Sequence, residues 1–558
     1  NSYTSMNANG GTYIYMAFAA KPDESIIDSL IDSPENYEAD TGNNGGNYCT
    51  WNVLQPTYAT TTFSNGNLDC SLLFTNGSAT SYAAGTIAVS SGKWYWEVTI
   101  RQASNDTEYI GLIDGSKSSG AWAFADIAAY FSDARKAIGT TPSSYGASYT
   151  TGDVIGIALD ADSNNLTFYK NGVSQGVAAT GMTGFDGYKP FISSNGTGTA
   201  QLTSTNWGQR EFKYTPPTDH LALCTKNLTD PTVADGSTVF DVVLRSGGGV
   251  NKSFTTLRPG LVWEKRTDDT SSHYWFDVNR GNDKYISSNT NSAEGSSGGA
   301  FTFNTNSYVV SASFDWPGSA TVVDWVWDAG ASTVSNSDGS ITSNVRANTS
   351  AGFSIVTFTG NRSSGATVGH GLNAAPKWII VKNLDTSANW MVYHIGTGAG
   401  GYLGLNLSNA FASASSVWNN TTPGTSVFTL GADSESNGDG NDMLAYCFSS
   451  VAGYSAFGSF SSGSDPFIFT GFSPKFVILK RSDSAGHWYV YDSDRGLSGR
   501  TETWLEANGN SADQTHGNGA FQFLSNGFQP LGSDIDPGSG TFVYAAFAEH
   551  PFKTARAR

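Results

Sequence analysis

The sequence predicts an all-β protein of several domains, and three observations lead to that prediction. Only 14% of the 558 residues are charged, against a typical share of about 25%, so the residues that favour helices are scarce. The chain instead holds 64 glycines and 13% aromatic residues, a mixture typical of short strands joined by turns. At roughly 100–200 residues per domain, the length predicts three to five domains.

The charge balance excludes one class of partner. The chain carries 30 basic and 48 acidic residues, a formal net charge of −18, and an acidic surface repels phosphate backbones and anionic lipid headgroups. We therefore expect no nucleic-acid binding. Membrane insertion is not expected either, because the sequence has no run of 18 apolar residues.

Internal repetition organises the second half of the chain. One motif consists of Pro, any residue, three apolar residues, any residue and Lys, and its copies are Pro259–Lys265, Pro376–Lys382 and Pro474–Lys480. A second apolar strand starts fourteen residues after each proline, and a closing strand ends each repeat. The closing strands are 321–327, 442–448 and 541–547. This self-similarity predicts three related β-domains.

The motifs set the expected domain boundaries. We expect β-repeat domains that resemble sandwiches, separated in one place by a solvated linker. The expected repeat domains are 216–330, 351–460 and 461–558, and the expected linker is 331–350. A further copy of the closing strand at 12–18 predicts that residues 1–22 end a truncated preceding repeat, with a linker at 23–49. The alternative is strand exchange, in which this strand completes a repeat elsewhere.

The block at 50–215 follows a different pattern. Lys93–Ile100 alternates as a strand does, and Gly152–Asp160 pairs with Asn165–Lys170 as a hairpin ahead of the turn dipeptide Asn171-Gly172. Short alternating strands with Gly, Asn and Asp turns predict a β-sandwich. These segments, with Tyr109–Leu112, resemble the SPRY domain, a concanavalin-like sandwich. The resemblance implies a recognition module whose loops at one end bind partners, without a catalytic group.

The order of segments along the chain resembles tail-fibre-like structural proteins of marine bacteriophages, including cyanophages. The resemblance rests on Asp32–Tyr37 and Gly45–Asn52 ahead of the SPRY-like block, and on the flanking closing strands. It implies a protein associated with the virion, made in the host cytoplasm, but it does not imply a receptor. With the SPRY-like recognition module in the chain, we expect the protein to present its loops to a host glycan or outer-membrane protein. We also expect contacts with other virion proteins and, because fibre proteins of this kind are often homotrimers, assembly as a homotrimer.

Three other functions stay open. The chain could be a capsid-decoration or virion scaffold protein without a receptor, a polysaccharide-degrading tailspike, or a cellular adhesin. A retaining glycosidase needs two carboxylates about 5 Å apart, and Glu97 has no evident partner in the sequence. The seven histidines form no metal motif, and pairing them with a Ser and an Asp would be arbitrary. We therefore expect no enzymatic activity.

Four aromatic residues are the candidate ligand contacts: Trp122, Tyr130, Tyr145 and Tyr149. They fall in the long segment between strands of the SPRY-like block. Exposed aromatic faces stack on the CH groups of a sugar ring, so these rings could form a carbohydrate-binding platform. They could equally belong to the core of the sandwich.

Asp160, Asp162 and Asn164 are the candidate metal ligands. Their D-x-D-x-N spacing resembles the start of a calcium-binding loop, although the required Gly and the closing Glu are missing. A plain hairpin turn is the favoured interpretation, and a bound Ca²⁺ is the alternative.

Two repeats carry a charged pair just after the second strand. Asp277 precedes Arg280 by three residues and Asp492 precedes Arg495 by the same spacing, whereas the middle repeat has His394-Ile-Gly396 at this place. We expect ion pairs that stabilise the architecture of the repeats.

Overall fold

The described part of the chain is nearly all β. The computed structural model describes residues 47–54, 60–73, 82–115, 117, 122–185, 187–195, 198–314, 316–461, 466–496, 500–501, 503–516, 520–531 and 540–551. Strands dominate these ranges, which confirms the predicted fold class. The helices that these ranges contain are too short to cross a membrane. The expected closing strand at 12–18 and most of the expected linker at 23–49 lie outside the described residues.

The first block folds into a two-sheet sandwich. Its strands are β1 Thr60–Ser64, β2 Asp69–Leu73, β3 Tyr82–Ala84, β4 Lys93–Gln102, β5 Glu108–Asp114, β6 Ile127–Phe131, β7 Arg135–Ile138, β8 Ser143–Ser144, β9 Val154–Asp160, β10 Asn165–Lys170, β11 Val173–Ala179, β12 Tyr188–Ser194, β13 Gln201–Asn206 and β14 Leu221–Ala222. In the described residues, one sheet has the order β1-β2-β13-β4-β9-β10-β11, with β14 parallel to β4, and the other has the order β3-β12-β5-β6-β7-β8. The predicted hairpin is β9–β10, with Asp160 opposite Asn165.

The sandwich core lies between these sheets because alternate residues of each strand point inward. Trp94 and Trp96 of β4 share this core with Ile110 and Leu112 of β5. Short 3₁₀ turns lie at Phe124–Asp126, Thr225–Asn227 and Gly236–Thr238.

The remaining strands form three repeats of similar topology. Repeat 1 comprises β15 Phe240–Ser246, β16 Val250–Ser253, β17 Leu261–Arg266, β18 Tyr274–Asp277, β19 Lys284–Ile286, β20 Gly295–Ser296, β21 Phe301–Asn304, β22 Ser307–Val310 and β23 Thr321–Trp327. Repeat 2 comprises β24 Thr333–Asn336, β25 Ser343–Asn348, β26 Phe353–Thr359, β27 Ala366–Gly369, β28 Trp378–Asn383, β29 Met391–His394, β30 Gly401–Gly404, β31 Ala412–Ser413, α1 Ser415–Trp418, β32 Val427–Leu430 and β33 Asp442–Phe448. Repeat 3 comprises β34 Ser455–Ser461, β35 Ile468–Phe469, β36 Phe472–Arg481, β37 Trp488–Asp492, β38 Arg500–Thr501, β39 Thr503–Glu506, β40 Gln514–Thr515, β41 Ala520–Leu524, β42 Gly527–Leu531 and β43 Thr541–Pro551.

Each repeat places its sequence motifs at the centre of its main sheet. In the described residues the sheet orders are β15-β23-β17-β18-β19-β20, β24-β25-β26-β33-β28-β29-β30-β31 and β34-β43-β36-β37-β39-β40. The closing strand therefore pairs with the proline-motif strand in every copy. Both strands are nearly continuous apolar runs because both of their faces are buried.

The segment 331–350, expected to be a solvated linker, instead contains β24 and β25. These strands extend the sheet of repeat 2 through β26. The expectation was wrong because the segment is rich in Ser and Asn, whose exposed side chains dominate its composition. Its strand character rests on a few inward residues such as Val345, which is 1% exposed.

The three repeats share one hydrophobic core, which contains buried residues between Val233 and Ala548. The last aromatic residues of the three closing strands meet there. Trp327 and Phe448 each lie 5.6 Å from Phe547 between ring centroids, and 6.4 Å from each other. Aromatic rings at such separations attract one another beyond the area they bury. The repeats are therefore packed around a common axis as a single body, called the three-repeat unit below.

Each repeat contacts the next in the same way, so the unit closes on itself. The residue fourteen positions after each motif proline directs a ring nitrogen at a backbone carbonyl of a neighbouring repeat. These contacts are His273 Nε2 to Glu506 O at 3.0 Å, Trp390 Nε1 to Thr290 O at 3.0 Å and Trp488 Nε1 to Gly404 O at 2.8 Å. The three boundaries are called seam 3–1, seam 1–2 and seam 2–3 below.

The lysine that ends each motif lies fully buried near these seams. Lys382 donates to Asn383 O at 2.7 Å and to Asn291 O of repeat 1 at 3.4 Å. Lys480 donates to Ser408 O of repeat 2 at 3.2 Å. Burial lowers the pKa of both amines to about 8. The motif lysine thus adds a hydrogen bond across the seam to carbonyl groups that also accept from the backbone, Asn291 O from Ala388 N and Ser408 O from Gly486 N.

Candidate binding site

The four aromatic residues do not form a carbohydrate platform, because all four rings are buried; this is the second of the two alternatives. The exposed fractions are 7% for Trp122, 0% for Tyr130, 9% for Tyr145 and 4% for Tyr149. Their polar atoms are also engaged within the protein. Trp122 Nε1 donates to Ser193 Oγ at 3.0 Å, Tyr145 OH to Gly176 O at 2.6 Å, Tyr149 OH to Glu108 O at 3.1 Å, and Tyr130 OH to Ala147 O.

The tyrosines are buried because the chain after β6 folds back over the open edge of the sandwich core. Tyr130 packs edge-on against Tyr145 and Tyr149, with centroids 5.2 and 5.1 Å apart. Trp122 belongs instead to an apolar layer on the outer face of the second sheet, with Tyr109 at 5.1 Å and Phe191 at 5.6 Å. The sheet is thus covered on both faces, which an alternating pattern does not reveal.

The candidate calcium ligands form the hairpin turn that was the favoured interpretation. Asp160 Oδ1 accepts from Ser163 N at 3.1 Å, and Asp162 Oδ1 accepts from Gly92 N at 2.7 Å. Asn164 Oδ1 accepts from Tyr188 OH at 2.8 Å, with its backbone in the left-handed region. The three oxygens serve three separate donors. In the described residues, no group of three or more His, Cys, Asp or Glu side chains has a metal-binding arrangement.

Glu97 holds a neighbouring segment rather than facing a groove. Its carboxylate is 3% exposed and accepts from the backbone N–H groups of Lys213 and Tyr214, both at 2.9 Å. Burial raises the pKa of Glu97, and these two hydrogen bonds oppose that rise. The contact ties the segment after β13 to the middle of the first sheet.

The predicted ion pairs of the repeats are confirmed. Arg280 Nε lies 2.5 Å from Asp277 Oδ2, and Arg495 Nε lies 2.7 Å from Asp492 Oδ2. Each aspartate also accepts from an aromatic residue of another repeat. The donors are Tyr446 OH to Asp277 at 2.8 Å and Trp325 Nε1 to Asp492 at 3.1 Å. These carboxylates therefore hold the seams together.

The sandwich docks on repeat 3. Asn526 Nδ2 donates to Thr86 O at 3.3 Å, and Lys189 Nζ lies 5.0 Å from the ring centroid of Phe469. Lys189 is 2% exposed and donates to Lys117 O. Burial lowers the pKa of Lys189 to about 7, and the nearby Asp114 opposes that change.

A cleft of about 250 Å³ opens beside this contact. It is called the junction cleft below, and its lining comes from the sandwich, the connecting segment and repeat 3. The lining residues are Ala88, Val89, Ser90, Ser91, Trp94, Leu228, Thr229, Asp230, Pro231, Thr232, Ala452, Gly453, Phe469 and Gly471. Trp94 Nε1 donates to Ser91 O at 2.7 Å, which fixes the indole below the loop.

The junction cleft was not predicted from the sequence. Its lining segments are separated by up to several hundred positions, and each one by itself has the composition of an ordinary turn. Only the docking of the sandwich on repeat 3 brings them together. The apolar Phe469 was the available sequence signal, but apolar residues in short strands are common.

Comparison with known proteins agrees with this division of the chain. A family model for the SPRY domain matches residues 93–206, and the model "Domain of unknown function (DUF7483)" matches residues 235–551. Crystal structures of two human SPRY domains are similar to the sandwich. The SPRY domain of human HERC1 is 18% identical to this chain, with a TM-score of 0.23. The match covers 26% of this chain and 91% of the HERC1 chain. The second structure is 19% identical, with a TM-score of 0.22, and the match covers 26% of this chain and 94% of that structure's chain.

A plant protein is similar over a shorter stretch. The E3 ubiquitin-protein ligase RKP of Arabidopsis thaliana is 43% identical over 74 residues, which are 12% of this chain and 6% of the ligase. The chain therefore spans only a small part of that relative's length.

These matches show what the two parts of the chain are. The sandwich is a SPRY domain, which indicates a binding role for this part. The second match covers the three-repeat unit and more than half of the chain. The protein therefore belongs to the family defined by the domain of unknown function DUF7483.

Proposed function

We propose that this protein is a non-catalytic recognition component of a bacteriophage virion appendage, such as a tail fibre. The SPRY domain presents its loops to a host glycan or outer-membrane protein, and the three-repeat unit holds the domain in place. One observation carries the proposal. A SPRY domain is docked on a closed body whose buried charges are used to hold the repeats together.

The state of the buried carboxylates favours binding without turnover. Most glycosidases use one carboxyl group as an acid and a second as a nucleophile or base, about 5–10 Å apart around the substrate. Asp277 and Asp492 are 0% exposed, and each already accepts from an arginine and an aromatic donor. Glu97 is occupied by two backbone N–H groups. These contacts support a structural role for all three.

The closed arrangement of the repeats supports a role as a scaffold that holds the SPRY domain. Each repeat contacts both others, so one seam cannot open without straining the other two. Interiors packed in this way deform little. A SPRY domain fixed to such a body would keep its orientation toward a host surface.

The resemblance to tail-fibre-like phage proteins extends the proposal to location and assembly. The protein would be made in the host cytoplasm and carried on the virion surface as a homotrimer in contact with other virion proteins. Mass photometry of the purified protein tests the trimer. A monomer at all concentrations would remove that part of the proposal without affecting the recognition role.

Cell binding tests the recognition role. Fluorescently labelled protein is added to a panel of marine bacteria, with and without enzymatic removal of surface polysaccharide, and bound label is measured by flow cytometry. Saturable binding to a subset of strains is the expected result. Immunogold labelling of purified virions runs alongside. Labelled virions without binding to any phage-sensitive strain would favour the scaffold or capsid-decoration role instead.

A further inference from the structure

We infer that the junction cleft binds one neutral sugar ring of a glycan. This inference rests on the proposed recognition role and assigns it to a particular site and a class of ligand. Three features of the cleft lead to it: its size, the chemistry of its lining and its charge.

The size of the junction cleft limits the ligand to about one ring. Its volume of about 250 Å³ lies just below the range of roughly 300–1,000 Å³ that is typical of small-molecule sites. A longer ligand would extend out of the cleft. The cleft also lies between the sandwich and repeat 3, and interfaces between domains are a common place for ligand sites.

The lining combines hydroxyl groups with an aromatic ring. Four of the lining side chains are hydroxyl-bearing, namely Ser90, Ser91, Thr229 and Thr232, and a hydroxyl both donates and accepts hydrogen bonds. Phe469 is half-buried and contributes a ring to the wall. A pyranose has the matching pattern, because its rim carries hydroxyls while its faces carry CH groups that pack on an aromatic ring.

Phe469 has a contact within the protein that holds its ring. Lys189 Nζ lies 5.0 Å from the ring centroid, and Lys189 is itself held by the carbonyl of Lys117. The amine contacts the ring at that distance, and its protonated form is attracted to the aromatic face. The phenyl ring is therefore held in place before a ligand arrives, which reduces the entropy lost on binding.

The charge of the junction cleft selects a neutral ligand. Asp230 is the charged side chain among the described lining residues, in a protein of net charge −18. A carboxylate has about four acceptor sites, so Asp230 can accept from sugar hydroxyls in addition to its contacts within the protein. Sialic and uronic acids would meet like charge and are disfavoured.

Saturation-transfer NMR with purified full-length protein tests the inference. The probes are the methyl glycosides of glucose, galactose, mannose and N-acetylglucosamine, with methyl N-acetylneuraminate as the acidic probe. At least one neutral glycoside is expected to bind, and the acidic probe is expected to bind at least tenfold more weakly.

Two variants and two matched controls locate the binding. Phe469→Ala removes the ring. Asp230→Asn removes the charge of an exposed side chain, and this substitution disturbs folding less than the loss of the half-buried Phe469 ring. Each variant is expected to weaken binding of the neutral glycoside at least fivefold. Phe303→Ala, which removes a half-buried ring from repeat 1, and Asp439→Asn, on an exposed loop, are expected to change it less than twofold.

The results separate this site from the proposed function. If no neutral glycoside binds the folded protein, or if neither variant weakens binding, the junction site is wrong even when labelled protein still binds cells. If a glycoside binds at this site but the protein binds no cell, the site stands and the recognition role fails. A preference for the acidic probe would overturn the assignment of a neutral ligand.

Discussion

Seams 1–2 and 3–1 are closed by buried ion pairs, whereas seam 2–3 is closed by a histidine. In seam 1–2 the carboxylate is Asp277 and the donor across the seam is Tyr446. In seam 3–1 these places are taken by Asp492 and Trp325. In seam 2–3 the closing strand has Ala545 at the place of the aromatic donor. The comparison teaches that an acceptor and its donor are replaced together.

His394 occupies the place of the aspartate in seam 2–3. Its Nε2 lies 3.0 Å from the carbonyl oxygen of Tyr544, next to the alanine, and its Nδ1 accepts from Gly396 N at 3.0 Å. Both ring nitrogens of a neutral imidazole are thereby used. A carboxylate here would face a carbonyl oxygen instead of a donor, which explains why repeat 2 departs from the pattern of the other two.

The backbone contacts are the same in all three seams. Glu294 N donates to Leu384 O, Phe411 N to Ser482 O and Asp513 N to Thr267 O, each at 2.8 Å. The backbone therefore sets the geometry of the ring of repeats, and the side chains decide how strongly each seam depends on charge. In seam 1–2 Glu294 also contacts Arg280, and in seam 3–1 Asp513 also contacts Arg495. Phe411 takes the corresponding place in seam 2–3.

Removing the aspartate of seam 1–2 is expected to lower the free energy of unfolding more than any other change. Asp277→Ala leaves Arg280, whose side chain is 3% exposed, without its closest carboxylate, and Tyr446 without its acceptor. Loss of one partner of a buried ion pair destabilises by about 3–5 kcal/mol. Urea unfolding followed by tryptophan fluorescence measures the change. A loss below about 1 kcal/mol would show that the ion pair contributes little to the seam.

The histidine of seam 2–3 predicts that the stability of the protein depends on pH. Burial lowers the pKa of His394 from 6.5 to about 4, so the folded state favours the neutral ring. Its contribution is fully present above pH 6.5 and is lost as the pH falls toward 4. The shift corresponds to about 3 kcal/mol at most. The buried His273 adds to the loss in the same direction.

His394→Gln distinguishes the two histidines, because glutamine does not titrate and its amide can donate to the same carbonyl. The free energy of unfolding of this variant is expected to fall less steeply between pH 7 and pH 4.5 than that of the wild type. Equal slopes in the two proteins would place the pH dependence elsewhere.

The aromatic donors are expected to have a smaller effect than the aspartates. Tyr446→Phe removes one hydrogen bond to Asp277 and keeps the ring, and a hydrogen bond to a charged group contributes about 1.5–3 kcal/mol. Arg280 remains to hold the carboxylate. Tyr393→Phe is the matched control, since this hydroxyl is also buried but has no hydrogen-bond partner in the described structure. A larger loss for the control would contradict the assigned role of Tyr446.

The sequence predicted the parts of the seams that are local. The spacing of Asp277 and Arg280 predicted an ion pair because Asp277 ends a strand and Arg280 follows it by three residues. Neither partner across the seam was predicted, since Tyr446 is 169 and Trp325 is 167 positions from its acceptor. Such pairs depend on how whole sheets pack around a common axis, which a pattern within one repeat does not contain.

The candidate sites were less accessible to sequence reasoning than the fold. Trp122 and Tyr145 carry the residue types of a sugar platform, but the burial of both sheet faces decides their role. The junction cleft joins Ser90, Asp230 and Phe469 only after two bodies dock. Periodicity predicts which strands form, and it does not predict which loops meet.

The smallest effect is expected for His394→Gln at neutral pH. Glutamine keeps a donor for the carbonyl of Tyr544 and loses only the bond from Gly396 N, so the expected loss is about 1 kcal/mol. Measured at pH 7.5 beside Asp277→Ala, this variant ranks the seams directly. A loss of 3 kcal/mol or more would mean that seam 2–3 depends on His394 as strongly as seams 1–2 and 3–1 depend on their ion pairs. The backbone would then set the geometry of all three seams without supplying most of their stability.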